Sequence, residues 1–158
     1  MLVLVISDTH GQHEHLQEVL DRVNPDVIYH AGDAQGWEGR IQTMAGCPLF
    51  AVRGNCDFNV ELPSDRVLEL GEHRVFLTHG HLYDVRYHNH RLTEVAKRNG
   101  CDIAIYGHTH CPENIVEDGI RVINPGSLSQ PRQEGRRPSY AVLYLDEQDE
   151  VTSNIVYL

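Results

Sequence analysis

The sequence lacks any apolar run that could span a bilayer, which takes about 20 consecutive residues. Its N-terminal apolar run covers only residues 1–6 and stops at Ser7-Asp8. No basic segment precedes the run and no small-residue cleavage site follows it, so it predicts a first β-strand and not a signal peptide. We therefore expect no membrane association.

Basic residues are also scarce. The chain has 13 Lys and Arg against 23 Asp and Glu, which gives a formal net charge of −10. Such a surface disfavours nucleic acid and anionic membranes as partners. An anionic substrate would have to be attracted locally. A cluster of divalent cations would do this, because a bound ion is usually the largest charge in its site.

Cysteines are few and lack metal-binding spacing. The chain contains Cys47, Cys56, Cys101 and Cys111, without a CxxC pair. The chain is also larger than most disulfide scaffolds, so we expect free thiols in a reducing cytosol and a cytoplasmic protein.

The length of 158 residues fits one domain, which we place at residues 1–158. A chain of this size buries roughly two thirds of the surface that its unfolded form exposes, so folding requires no disulfide or partner subunit. The apolar strands of the C-terminal part would offer a surface for a homo-oligomer, but nothing in the sequence requires one.

The pattern of apolar residues predicts an α/β protein. Continuous β-branched blocks indicate buried strands, and apolar residues at helical spacing indicate helices. Strands are predicted at 2–6, 27–29, 48–52, 66–70, 74–77, 103–106, 113–117, 121–124, 140–145 and 151–157, and helices at 13–23, 38–45 and 89–98. Many strands and few helices pack best as two mixed sheets face to face with the helices outside.

Polar side chains follow five of these strands. They are Asp8 and His10, Asp33, Asn55, His79, and His108 with His110. Loops beyond the carboxyl ends of strands in an open α/β sheet converge on one crevice. Imidazole and carboxylate ligands suit Mn, Fe, Zn, Co or Ni, and these motifs lack the thiolates of a structural zinc site. Helix capping would account for Asp8 and Asp33 alone, so the full set predicts a catalytic metal site.

The order of these motifs resembles the calcineurin-like metallophosphoesterases. The matching segments are Asp8-x-His10, Gly32-Asp33, Gly54-Asn55-x-Asp57, His79-Gly80-His81 and Gly107-His108-Thr109-His110. Asn124-Pro125-Gly126-Ser127 is similar to a signature of the small prokaryotic phosphodiesterase branch. The resemblance implies the metallo-dependent phosphatase fold, a four-layer αββα sandwich.

The resemblance also implies a ligand assignment. One metal would bind Asp8, His10, Asp33 and His110, and the other Asp33, Asn55, His79 and His108, so that Asp33 bridges the ions. Two metals about 3.5–4 Å apart can activate a bridging water for in-line attack on phosphorus. Mn²⁺ is the first expectation, with Ni²⁺, Zn²⁺, Fe²⁺, Co²⁺ and Mg²⁺ as alternatives that the sequence cannot separate.

Other residues are predicted to act beside the metals. The candidate catalytic residues are Asn55, Cys56, Asp57 and His81, and Arg53 is the candidate substrate contact. Cys56 stands where many family members have a histidine that is thought to protonate the leaving alkoxide, so His81 or a metal-bound water is an alternative acid. Asp57 is expected to orient a ligand loop through hydrogen bonds.

Several polar residues have simpler interpretations. His30 is expected to be a buried histidine with its hydrogen bonds satisfied. Solvated side chains are expected for His13, His15, His73, His88 and His90, and for the loop residues Arg132, Arg136 and Arg137, although the arginines would also suit a substrate phosphate.

The predicted reaction is hydrolysis of a phosphodiester, or less readily a phosphomonoester, of a small molecule. Two alternatives have the same fold: a non-catalytic scaffold that binds partner proteins, and a nuclease. The complete ligand set argues against the scaffold, and the charge of −10 argues against the nuclease.

Overall fold

The computed structural model describes all 158 residues. In chain order the strands are β1 (Leu2–Ile6), β2 (Val27–His30), β3 (Leu49–Ala51), β4 (Asp65–Leu70), β5 (His73–Thr78), β6 (Ile103–Ile105), β7 (Glu113–Glu117), β8 (Ile120–Asn124), β9 (Ser139–Leu145) and β10 (Val151–Tyr157). The helices are α1 (Leu16–Val23), α2 (Glu38–Ala45) and α3 (His90–Arg98). No helix is long and apolar enough to cross a membrane.

The strands form two mixed five-stranded sheets. The first has the order β10-β9-β1-β2-β3, and the second has the order β4-β5-β6-β8-β7. In the first sheet β1, β2 and β3 are parallel, and in the second β5, β6 and β8 are parallel. Each sheet therefore directs the carboxyl ends of its parallel strands to one edge, where ligand loops can meet.

The side chains of β1 alternate between two apolar clusters, one between the sheets and one under the helices. Val3 and Val5 point between the sheets and pack with Val75 and Leu77 of β5. Leu4 and Ile6 point the other way, into a cluster with residues of α1 and α2. On the outer face of the second sheet, α3 packs through its own buried residues. The result is the predicted four-layer αββα sandwich, and all three helices and ten strands occur where the sequence predicts them, within a few residues.

The largest boundary difference lies at α1. The helical pattern predicts a start at His13, but α1 begins at Leu16. Gly11 has a positive φ of 68°, and residues 14–15 form a turn. This segment carries the chain from the β1 ligand loop to the outer face of the sheet, which delays the helix.

Candidate metal centre

All seven predicted metal ligands lie at the same edge of the sandwich. Asp8 and His10 follow β1, Asp33 follows β2, Asn55 follows β3, His79 follows β5, and His108 and His110 follow β6. The first sheet therefore supplies four of these residues and the second sheet three. The structure brings them together although they are spread over about 100 positions of the chain.

Five of the seven have left-handed backbone conformations, with φ of 53° at Asp8, 46° at His10, 59° at Asp33, 66° at His108 and 59° at His110. Residues other than glycine rarely adopt this region, and such strain, on the order of 1 kcal/mol or more per residue, concentrates at functional sites. Backbone hydrogen bonds hold it here: the amide of Asp8 donates to Gly32 O, and that of His10 to Asp33 O.

The first group of ligand atoms consists of Asp8, His10 and His110. The Oδ1 atom of Asp8 lies 3.1 Å from Nε2 of His110, which lies 3.4 Å from Nε2 of His10. Nδ1 of His110 donates a hydrogen bond to the backbone oxygen of Gln130 at 2.6 Å. In a neutral ring this leaves Nε2 with a lone pair that faces the carboxylate. Asp8 Oδ1 is buried without a hydrogen-bond partner, as expected of an oxygen atom that serves as a metal ligand.

The second group is arranged in the same way. Nδ1 of His79 donates to the backbone oxygen of Ala31 at 2.7 Å, so that Nε2 faces the site. This Nε2 lies 2.9 Å from Oδ1 of Asn55 and 3.4 Å from Oδ2 of Asp33. The same Asn55 oxygen lies 2.9 Å from Nδ1 of His108. A backbone carbonyl that fixes the outer nitrogen is the usual support of a metal-binding histidine.

The electrostatics of the site favour a bound positive charge. Burial works against the charged imidazole of His79, but the carboxylates of Asp33 and Asp8 outweigh it and raise its pKa. Burial also works against the charged form of Asp33, but His79 holds the pKa of Asp33 below its usual range. Burial lowers the pKa of His10, and it lowers that of His108 to about 4, so both are neutral ligands near pH 7. The donor set therefore fits divalent transition metals.

Asp57 connects two ligand loops. Its carboxylate accepts hydrogen bonds from the amides of Asp33 at 2.8 Å, Gln35 at 2.7 Å and Gly54 at 2.7 Å. It is 5% exposed and belongs to none of the residue groups whose ligand atoms lie close enough together to hold a metal ion. Through these contacts Asp57 can orient both ligand loops, and this role stays a prediction.

Cys56 borders the same site. Its Sγ lies within 4.8 Å of ligand atoms of His10 and Asp33, and it accepts a hydrogen bond from the Asn55 amide at 3.3 Å. Burial, followed by the nearby Asp33 carboxylate, raises the pKa of this thiol, so it stays protonated at neutral pH.

His81 packs against two of the ligand imidazoles. Its ring centroid lies 5.3 Å from that of His79 and 6.1 Å from that of His108. Its Nδ1 is buried and has no hydrogen-bond partner, and burial lowers its pKa. Arg53 is exposed and lines a cavity together with Asn55 and His81. Both residues therefore lie beside the ligand candidates, and their contact with substrate stays a prediction.

The simpler interpretations hold in part. His30 is fully buried, lies 3.1 Å from the hydroxyl of Thr9 and accepts a hydrogen bond from the Gly32 amide, as expected. The prediction of a solvated side chain is wrong for His13, which stacks on Trp37. It is also wrong for His73, which pairs with Asp102. Both contacts join segments distant in sequence, which spacing alone does not reveal.

Some residues at the site were not predicted. Gln35 Nε2 lies 3.3 Å from Nδ1 of His10, and Arg86 Nε donates to Nε2 of His108 at 2.9 Å. The hydroxyls of Ser127 and Ser129 both donate to the backbone oxygen of Asp8. Only Ser127 carried a signal, since it belongs to the segment that begins at Asn124. That asparagine donates to Gly107 O and to the Thr109 hydroxyl, and so braces the β6 loop.

Comparison with known proteins agrees with this geometry. A family model described as the calcineurin-like phosphoesterase superfamily domain matches residues 1–148. The probable metallophosphoesterase YsnB of Bacillus subtilis is 36% identical over 148 residues, which cover 92% of this chain and 85% of that protein. The phosphodiesterase YfcE of Escherichia coli is 38% identical over 104 residues, 60% of this chain and 52% of that protein.

A solved structure has the same architecture. Vps29 from Entamoeba histolytica, complexed with Zn²⁺, superposes with a TM-score of 0.79 over 99% of both chains at 25% identity. The fold is therefore shared by proteins named as phosphoesterases and by a protein whose name describes no reaction.

Proposed function

Because the chain belongs to the calcineurin-like phosphoesterase superfamily, we propose that it hydrolyses a phosphodiester of a small molecule, and monoesters less readily, with two divalent metal ions. Its relatives include a probable metallophosphoesterase and a phosphodiesterase, which supports a hydrolase. The observation that carries the proposal is the pair of ligand groups in which imidazole nitrogen atoms and carboxylate or amide oxygen atoms converge within 3.4 Å of one another. Mn²⁺ is the first candidate metal, and Ni²⁺, Zn²⁺, Fe²⁺, Co²⁺ and Mg²⁺ remain alternatives.

The residues of the chain would bind the two cations in two groups. Asp8, His10 and His110 would hold one cation, Asn55, His79 and His108 would hold the other, and the Asp33 carboxylate would be available to both. Two such cations supply the positive charge that activates water and neutralises the phosphoryl oxygens. The carbonyl groups of Ala31 and Gln130 keep two of the imidazoles in the orientation that binding requires.

A protonated group must also serve the leaving alkoxide. The Cys56 thiol, with its raised pKa, is protonated but is a weak acid for this purpose. His81 is neutral near pH 7, because burial lowers its pKa, and it stands against two ligand rings. We therefore assign a substrate-contacting role to His81 and expect esters with good leaving groups to react best.

Replacement of Asn55 tests the proposal with little risk to folding, because this side chain is exposed. Asn55→Ala removes an oxygen that lies 2.9 Å from both His79 Nε2 and His108 Nδ1. We expect the purified variant to hold fewer metal ions by elemental analysis and to hydrolyse an aryl phosphodiester about 100-fold more slowly. Asn154→Ala, at an exposed position of β10, should keep the metal content and the rate of the wild type.

Whether the chain hydrolyses phosphodiesters at all is tested on the wild-type protein. It should hydrolyse an aryl phosphodiester after loading with Mn²⁺ and lose the activity in excess chelator. Absence of hydrolysis with every candidate metal would refute the proposal.

The likeness to Vps29 favours a second candidate, a scaffold that binds a partner protein. The complete ligand set argues against it, and lack of turnover in fully metal-loaded protein would argue for it. A nuclease is disfavoured by the net charge of −10. The four cysteines form no disulfide, which is compatible with the cytoplasmic location that we expect.

A further inference from the structure

Two cavities open beside the candidate metal centre, and His81 lines both of them. The larger, about 410 Å³, is lined by Arg53, Asn55, Phe58 and His81 among others. The smaller, about 200 Å³, is lined by His81, Arg86, Tyr87 and His108 among others. Each cavity thus includes one metal-ligand candidate, so a phosphate at the ligands would have access to both.

Each cavity also has an aromatic side chain at its border that packing does not explain. Tyr87 is 85% exposed and Phe58 is 79% exposed, which makes them the two most exposed of the large hydrophobic side chains. Isolated apolar residues on a surface need no explanation. The two most exposed aromatic rings of a chain beside two cavities of one site, however, indicate a binding role.

The arginines give the cavities a second common property. Arg53 and Arg86 are exposed cations in a chain of net charge −10, and each shares a cavity with one of the aromatic rings. A flat aromatic group can stack on a phenylalanine ring and on a guanidinium plane. A phosphodiester has two organic arms, and the site has two cavities of unequal size.

We propose that the cavity of Arg53 and Phe58 binds a flat aromatic arm of the substrate, and that the smaller cavity of Arg86 and Tyr87 binds the other arm. This assignment rests on the proposed function and names its substrate class: a small phosphodiester with an aromatic group, of which a nucleoside is one form. The volume of the larger cavity lies in the range of small-molecule sites, whereas the smaller holds a group of sugar size or less.

Binding of two phosphonates tests the assignment without any turnover. Phenylphosphonate and ethylphosphonate carry the same anionic group on an uncleavable carbon–phosphorus bond and differ in the arm alone. Calorimetry on the Mn²⁺-loaded protein should give a roughly tenfold lower Kd for the phenyl compound. Phe58→Ala should reduce this ratio to about twofold, with the ethylphosphonate Kd and the metal content unchanged. Tyr144→Ala, which removes an exposed aromatic ring of β9, should keep the tenfold ratio.

The outcomes separate this inference from the proposed function. Equal Kd values in the wild type, an unchanged ratio in Phe58→Ala, or no binding of either compound would overturn the aromatic cavity. A ratio that falls in Tyr87→Ala and not in Phe58→Ala would overturn the assignment of the arms. Diester hydrolysis is measured separately on the same protein. Hydrolysis with an unchanged ratio leaves the proposed function standing. A changed ratio without hydrolysis under any of the candidate metals refutes that function and supports the cavity.

Discussion

At the scale of single residues, Asp57 decides how accurately the ligands are placed. Its carboxylate accepts three backbone hydrogen bonds, two from the loop after β2 and one from the loop after β3. Asp57→Asn places an NH₂ group opposite amide donors and leaves at least one of them without its acceptor. We expect a loss of about 2 kcal/mol in the free energy of unfolding, measured by urea denaturation. Metal affinity, measured by calorimetry, should fall by about 10- to 100-fold.

A matched aspartate separates the two effects. Asp146 also accepts backbone hydrogen bonds, from Gln148 and Glu150, but in the turn between β9 and β10. Asp146→Asn should therefore reduce stability and leave metal affinity as in the wild type. If Asp57→Asn were destabilised to the same degree with normal metal affinity, Asp57 would be a structural residue alone.

Residues in the ordered motifs could be placed from the sequence, because their spacing puts each one directly after a strand. The carbonyl groups that fix His79 and His110 could not, since any residue can supply a backbone oxygen. The position of Arg86 beside His108 depends on the path of an irregular loop, which carries no periodic signal. Chemistry that resides in side-chain type was therefore predictable, and chemistry that resides in tertiary geometry was not.

At the scale of elements, His73 joins three segments of the chain. Nδ1 pairs with the carboxylate of Asp102, just before β6, and Nε2 lies 2.9 Å from the backbone oxygen of Asp149, in the turn between β9 and β10. The hydrogen bond with Asp102 is the main cause of the raised pKa of His73. Burial works in the opposite direction for Asp102, but the hydrogen bonds with His73 and with the Arg74 amide together outweigh it and lower the pKa of that carboxyl group.

These pKa shifts predict how the stability of the protein changes with pH. A raised histidine pKa contributes stability below the ordinary imidazole value of 6.5, and this is lost as pH rises through the folded-state pKa. A lowered aspartate pKa contributes stability above the ordinary carboxyl value of 3.8, and this is lost as pH falls through the folded-state pKa. The pair is thus most stabilising between these two values.

Urea denaturation of metal-free protein measures the effect. Between about pH 5.5 and about pH 9 the wild type should lose about 1 kcal/mol more stability than His73→Gln, a small figure because both partners are partly exposed and screened by solvent. His88→Gln, at an exposed position, should follow the wild type. Parallel curves for wild type and His73→Gln would remove the pair as a source of pH dependence.

The elements themselves were predictable because burial on one or two faces leaves a clear pattern. Val3, Leu4, Val5 and Ile6 are all fully buried, and a continuous apolar block is what a strand covered on both faces requires. The start of α1 was harder to predict from the sequence, because the turn that delays it follows from the ligand loop before it. The order of the strands in each sheet depends on contacts between distant segments, such as β1 with β9, and no local pattern encodes it.

At the scale of the whole molecule, the candidate metal centre connects the two sheets. Asp8, His10, Asp33 and Asn55 extend from the first sheet, and His79, His108 and His110 from the second. Without a cation, the carboxylates of Asp8 and Asp33 are buried at 0% and 2% exposure, and one oxygen of Asp8 has no hydrogen-bond partner. Bound metal would therefore compensate buried negative charge and cross-link the layers.

This argument predicts strong thermal stabilisation by metal. At a free Mn²⁺ concentration of about 100 Kd, binding to the folded state alone adds about 2.7 kcal/mol. For a chain of this length that corresponds to a rise in Tm of about 5–10 °C by calorimetry. A chain of charge −10 also gains stability from simple screening, so NaCl at the same ionic strength must give a smaller rise. Asn55→Ala, which keeps one ligand group intact, should show a reduced shift. If NaCl and Mn²⁺ stabilised the protein equally, the buried carboxylates would bind no specific ion, and the assignment of a metal centre between the sheets would be wrong.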